Sequence, residues 1–206
     1  MSAVTADIPL ILEKCISSGL LSASFDEDIQ SSTNILSNTS SSSWAHFYDL
    51  DALDSVLSNV LNSFPDHFLH CFAVKSNPLK STLQMIQKRG LGFECASFNE
   101  VVHSLQIGCS PKNIVFDSPC KTKNELHQCL KLGVSINCDN FDEMNRVASL
   151  IETNNYQSSL QVGLRVNPLL GKGTIETLSV STHDSKFGIP LTEENRNFIL
   201  EAFQKY

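Results

Sequence analysis

Between His70 and Val166 the sequence alternates short β-prone runs with helical segments, and that rhythm restricts the fold more than any other feature. The runs are His70–Lys75, Gly92–Cys95, Asn113–Asp117, Val134–Cys138 and Gln161–Val166, with starts 22, 21, 21 and 27 positions apart. Helix-start signals follow four of them. Ser97-x-x-Glu100 and Thr122-x-x-Glu125 have the capping-box pattern, and Asn140-x-x-Glu143 is its asparagine version. Ser81 or Thr82 suits the start of the remaining helix. Gly90, Gly108 and Gly133 close the helical segments, where a left-handed residue costs glycine little. A βα repeat of this kind builds a parallel sheet or a (β/α)8 barrel, and its strands are expected as near-continuous apolar runs. No G-x-G-x-x-G turn follows the first run, which weakens the dinucleotide-binding alternative.

Composition fills in the rest. The chain has 206 residues, 41% hydrophobic and 18% charged, enough for a core and too apolar for wholesale disorder. Lys plus Arg number 15 against 22 Asp plus Glu, a net charge of -7. Such a balance argues against nucleic acid or an anionic membrane as a partner. No apolar run approaches the ~18 residues of a membrane span. Residues 1–43 stand apart as an N-terminal extension, and 44–206 form the expected domain. Seven of the thirteen residues in 31–43 are serine, which reads as a linker. A short helix is expected over Pro9–Ser17 and a strand over Trp44–Asp49. Asp49 or Asp51 can cap a helix with Leu53, Val56, Leu57, Val60, Leu61 and Phe64 on one face, ended by Pro65. Met1–Gly19 has no basic start, so no secretory signal is read there. Seven cysteines with no C-x-x-C suit a reducing, cytoplasmic chain in which they are small buried hydrophobes. The six histidines form no H-E-x-x-H, and no metal site is expected.

In barrels and open α/β sheets alike, chemistry gathers at the carboxyl ends of the strands. Here those ends carry Lys75-Ser76-Asn77-Pro78, Glu94 to Ser97, Asp117-Ser118-Pro119, Asp139-Asn140, and Arg165 with Asn167-Pro168. Asn77, Asp139 and Asn140 equally suit caps and turns. Lys75 closes the apolar run Cys71–Val74. A lysine at that rim can lose solvation and have its pKa lowered, as a Schiff-base lysine requires.

Six segments carry a family resemblance. Phe72-Ala73-Val74-Lys75-Ser76-Asn77-Pro78 resembles the pyridoxal-phosphate lysine motif of the fold-type III decarboxylases, the ornithine, arginine and diaminopimelate enzymes. Gly92-Phe93-Glu94-Cys95-Ala96-Ser97-x-x-Glu100 is similar to their second strand, and Val115 to Thr122 to the next turn. Gly163-Leu164-Arg165-Val166-Asn167-Pro168 and Ser185-Lys186-Phe187-Gly188-Ile189-Pro190 resemble the diaminopimelate branch. Tyr48-Asp49-Leu50-Asp51-Ala52-Leu53 resembles the family's opening strand and helix. Coverage runs from about Phe47 to Leu191.

The resemblance implies an alanine-racemase-like (β/α)8 barrel and pyridoxal 5'-phosphate as cofactor, held by Lys75 as a Schiff base. It implies Arg165 beside the cofactor's phenolic oxygen, and Glu94 near the lysine where the family usually has aspartate. Glu100 matches a second acid, but it also completes a capping box. The implied reaction is decarboxylation of a basic or diamino acid, a step in amino-acid metabolism or polyamine biosynthesis. The complete enzymes are homodimers, and Ser185–Gly188 could contribute to that interface. A complete barrel takes ~250 residues, and about five βα units are visible here. The chain therefore reads as an incomplete barrel without the family's C-terminal β-domain, expected to be inactive or weakly active alone. Two alternatives stand beside this reading: a non-catalytic relative that binds the cofactor or regulates, and a non-functional fragment.

Overall fold

The computed structural model describes Ser17 and residues 48–156, 161–170 and 185–205. The expected Pro9–Ser17 helix (Ser17 itself is helical), the serine-rich linker, and Trp44–Phe47 of the first expected strand lie outside the described residues. Tyr48 and Asp49, the end of that run, are not strand. The chain divides into two compact units, residues 1–56 and 57–206.

Helix α1, Leu50–Asn62, starts where Asp49 Oδ1 accepts the Ala52 amide at 2.9 Å. Of its expected apolar face Leu57 is buried, whereas Val56 and the following Phe64 are exposed. Five strands follow: β1 Cys71–Ala73, β2 Gly92–Cys95, β3 Ile114–Asp117, β4 Ser135–Cys138 and β5 Val162–Leu164. They form one parallel sheet in the order β1-β2-β3-β4-β5. Each crossover places the next strand on the same side of the last. A doubly wound sheet reverses at a switch point, and this one does not, so its winding is that of a barrel. The intervening helices are α2 Lys80–Lys88, α3 Phe98–Gln106, α4 Lys123–Leu132 and α5 Phe141–Thr153. Two short strands, β6 Val166–Asn167 and β7 Ile189–Pro190, pair in parallel, and α6, Glu193–Lys205, follows.

The strands are not the continuous apolar runs expected. Side chains alternate across a strand. Phe93, Cys95, Ile114, Phe116, Ile136 and Cys138 are buried on one face. Glu94, Val115, Asp117, Ser135 and Asn137 share the other face and are half-buried. The helices complete the buried layer with Leu83, Ile86, Val101, Leu126, Leu130 and Val147. The sequence suits a last helix over Thr192–Gln204 with Phe198, Ile199 and Phe203 inward; in α6 the inward residues are Ile199 and Ala202, while Phe198 and Phe203 are 51% and 62% exposed. Four of the six described cysteines are buried and Cys71 is half-buried, but Cys120 is exposed. Burial pushes the Cys95, Cys129 and Cys138 thiols up to about 12, so these are packing groups rather than nucleophiles.

The helix ends follow the sequence signals with one exception. Thr122 and Glu125 make a complete capping box. Ser97 Oγ accepts from the Glu100 amide and Asn140 Oδ1 from the Glu143 amide. Helix α4 ends on Gly133 at φ +80°, and Gly90 and Gly108 also have positive φ. The exception is α2, which begins at Lys80 without a side-chain cap from Ser81 or Thr82. Asn77 Oδ1 instead accepts the Leu79 amide at 3.2 Å. Among the described residues no helix is long and apolar enough to cross a membrane.

Close strand approach depends on Gly92. A Cβ there would lie 2.1 Å from the carbonyl oxygen of Asn113, a backbone atom that cannot swing away. Gly92→Ala is expected to lower stability by about 3 kcal/mol, at the upper end of overpacking costs, read as a fall in the urea midpoint with the slope unchanged.

Candidate active site

Lys75, expected to close the run His70–Lys75, lies two residues past the end of β1. The strand ends at Ala73, and Val74–Ser76 form a 3-10 turn. Ser76 Oγ donates to the Ala73 carbonyl at 2.7 Å, and the Asn77 amide donates to the Val74 carbonyl at 3.1 Å. Val74 is fully buried and anchors the turn, which leaves Lys75 exposed. The desolvation expected from its place after an apolar run is therefore absent. Buried β-branched Val74 next to an exposed lysine gives a rigid base with a free amine.

Glu94 lies on the polar face of β2, directly beside Ala73 in the sheet register. Burial pushes its carboxyl above the ordinary value of 4.5, while the charge of Lys75 pulls it back, Asp117 and Glu100 raise it, and Arg165 lowers it. The lysine and arginine singled out in the sequence thus act on the same acid.

Arg165 occupies the junction between β5 and β6. Its amide donates to the Cys138 carbonyl at the end of β4, and its carbonyl accepts from Ile189 of β7, both at 2.8 Å. The backbone is therefore held from both sides. The guanidinium has a carboxylate at the end of each preceding strand: Asp117 Oδ1 at 3.5 Å and Asp139 Oδ1 at 3.7 Å from Nη1. The Phe187 ring packs against it, 4.7 Å from Cζ to centroid. Its side chain remains 27% exposed, so a donor edge is open. Asp117 Oδ1 is buried and accepts no hydrogen bond.

Asp139, which sequence alone left between cap, turn and site, is part of this cluster. Asn140 is the cap. Asp139 Oδ1 accepts the Gly188 amide at 3.1 Å. Burial raises its carboxyl, and the Gly188 amide and Arg165 oppose that rise. Gly188 is needed at this spot. Its φ is +72°, and a Cβ would fall 2.9 Å from the Arg165 carbonyl oxygen.

Glu100 behaves as a capping residue. Its Oε2 accepts the Ala96 amide at 2.8 Å, one residue further back than the usual box. Sequence reasoning missed Phe187 as a partner of Arg165, and it missed the Lys121–Glu143 ion pair at 2.7 Å. The sequence marked Glu143 only as a helix-start acid, three residues past Asn140, and gave no sign of its pairing with Lys121. A groove of about 510 Å3 lined by Met144, Val147, Ile151, Leu164 and Phe203 is not lined by Lys75, Glu94 or Arg165. No cluster of three metal-binding side chains exists among the described residues.

This geometry can be set against known proteins. Residues 50–206 match the family described as pyridoxal-dependent decarboxylase, pyridoxal binding domain. A diaminopimelate decarboxylase from Helicobacter pylori is 27% identical over 156 residues, 75% of this chain and 38% of that protein. Mouse antizyme inhibitor 1 is 38% identical over 78 residues, 37% of this chain and 17% of that protein. The crystal structure of Helicobacter pylori diaminopimelate decarboxylase complexed with L-lysine aligns with a TM-score of 0.66 at 26% identity, over 77% of this chain and 39% of that one. The chain thus spans well under half the length of these relatives. The incomplete barrel expected from the sequence is the fold observed, with five strands of its sheet in place.

Glu94 makes the site's acid sensitivity measurable. The folded chain keeps this proton to higher pH than the unfolded chain, so stability falls as pH rises through the window above 4.5. Glu94→Gln removes that loss. The variant is expected to be more stable than the parent at about pH 7, with the difference shrinking toward about pH 4, as urea midpoints at the two pH values would show.

Proposed function

The chain belongs to the family of pyridoxal-dependent decarboxylases, and from that premise we propose that it binds pyridoxal phosphate at Lys75 for decarboxylation of a basic or diamino acid. The observation that carries the reading is the pairing of an exposed lysine on a rigid turn with a braced arginine, both acting on Glu94.

The residues present fit the cofactor. Lys75 offers a free amine, Arg165 an accessible cation, and Asp117 Oδ1 is a buried oxygen still lacking a donor. When bound, pyridoxal phosphate supplies the electron sink that accepts the pair left by the departing carboxylate. Lys75 holds the group and hands protons at Nζ. Glu94, whose carboxyl burial raises and the Lys75 charge lowers, is the acid that both cations act on. Arg165 cannot lose its proton, so it offers a fixed positive charge to an anionic oxygen at any working pH. Asp117, Asp139 and Phe187 limit how far that charge can swing.

The substrate class draws on the named activity of the relatives and on the L-lysine held by the Helicobacter pylori enzyme. A homodimer, a cytoplasmic setting and a place in amino-acid metabolism belong to the same reading, with residues 1–43 as an extension outside the matched domain. A second reading is a cofactor-binding or regulatory relative without turnover; the match to antizyme inhibitor 1, whose name describes regulation, supports its regulatory form.

The test is attachment. The purified chain is mixed with pyridoxal phosphate, the visible band recorded, the complex reduced with borohydride, and the labelled peptide mapped. One label per chain on Lys75, lost in Lys75→Ala, is the expected result. Labels scattered over many lysines, or none, would overturn the proposal. Carbon dioxide release from ornithine, lysine, arginine or diaminopimelate then separates the two readings: a Lys75 label with no release from any of them selects binding without turnover.

A further inference from the structure

We propose that the buried Lys121–Glu143 pair is a positioning device for Arg165, acting through Asp139. The inference deepens the proposed function and rests on its reading of Arg165 as facing the cofactor.

The pair is almost completely closed to water, with side-chain exposures of 0% for Lys121 and 2% for Glu143. Lys121 Nζ donates to Glu143 Oε2 and to the Ser118 carbonyl, each at 2.7 Å, and lies 5.5 Å from the Phe116 ring centroid. The same Glu143 Oε2 accepts the Asp139 amide at 2.8 Å. One buried contact therefore ties the turn after β3 to the turn after β4. Asp117 ends β3 just before the first turn and Asp139 opens the second, and these are the two carboxylates that flank Arg165. Asp139 also grips Gly188, next to the Phe187 ring that packs on the same guanidinium.

Helix capping alone does not explain this arrangement. Helix α4 is capped by an exposed Thr122 and a half-buried Glu125 with no lysine recruited. Helix α5 already has its cap in Asn140 Oδ1, which takes the Glu143 amide at 2.8 Å. Nor is stability alone a sufficient reason, because an apolar pair of similar volume commonly serves a buried site as well. What the ion pair adds is direction: three hydrogen bonds converge on fixed atoms and set where Asp139 begins.

The experiment compares the chain with Lys121→Met/Glu143→Leu, Asp139→Asn, and Glu125→Gln as the capping control. Two readouts are taken. One is the NMR Nε–Hε resonance of Arg165, assigned by its loss in Arg165→Lys. The other is pyridoxal phosphate titration of the visible band, with thermal unfolding measured in parallel. The paired variant is expected to unfold near the parent midpoint, to shift or broaden the Arg165 resonance, and to bind about ten-fold more weakly, the scale on which outer residues that orient a binding group act. Asp139→Asn should move the resonance in the same way, and Glu125→Gln should move neither readout. An unchanged Arg165 resonance in a folded paired variant overturns the proposal. If the paired variant does not fold, an unchanged resonance in Asp139→Asn overturns it instead. Absence of a visible band in the parent chain removes the cofactor reading, and the resonance still decides this one.

Discussion

Parallel pairing puts matched residues of neighbouring strands on the same face, and this constraint organises the molecule. Phe93, Ile114, Phe116 and Ile136 can be buried together because the register aligns them. The same register places Glu94 beside Ala73, and Asp117 beside Asn137. The apolar layer and the polar layer are two sides of one ladder, so a slip of one residue would exchange them. Gly92 and Gly163 show how tightly the ladder is drawn. A side chain at the first would strike the Asn113 backbone, and one at the second would meet the side-chain Oδ1 of Asn137 at 2.5 Å.

Arg165 shows how the backbone and the site are joined. Its main chain is bonded to β4 on one side and β7 on the other, so the residue is fixed before its side chain makes any contact. The guanidinium then meets one acid from the end of β3 and one from the turn after β4. A site assembled this way gains precision from the sheet rather than from a loop. It also spreads the responsibility for one cation over residues far apart in the chain, from Asp117 to Gly188.

The spacing of apolar runs and capping signals located the five strands and their helices to within one or two residues, because each signal is local. Capping boxes and glycine stops depend on side chains three or four positions apart. Legibility declined where distant residues decide. The exposure of Phe198 and Phe203 depends on what packs against α6, and helical periodicity does not carry that. The 3-10 turn that takes over at Val74 shortens β1, and composition does not distinguish it from one more strand residue. At the site, Lys75, Glu94 and Arg165 were legible as residue types at strand ends. Asp139 was not, because a carboxylate before an asparagine cap looks the same whether it turns a chain or pairs an arginine. Lys121 and Glu143 were hidden for a related reason: charged residues are usually read as surface, and their pairing spans 22 positions.

Helices α3, α4 and α5 each fold a glutamate back over their own first turn, through Glu100, Glu125 and Glu143. Helix N-termini elsewhere draw in anions with free amides and a positive dipole end. Here three successive ones are already answered by internal negative charge. A phosphate or carboxylate approaching this rim meets no open helix end among α3 to α5. Its attraction falls to side-chain cations, Lys75 and Arg165 among them. Internal carboxylates occupy these three helix starts, and the cationic side chains left facing outward include Lys75 and Arg165.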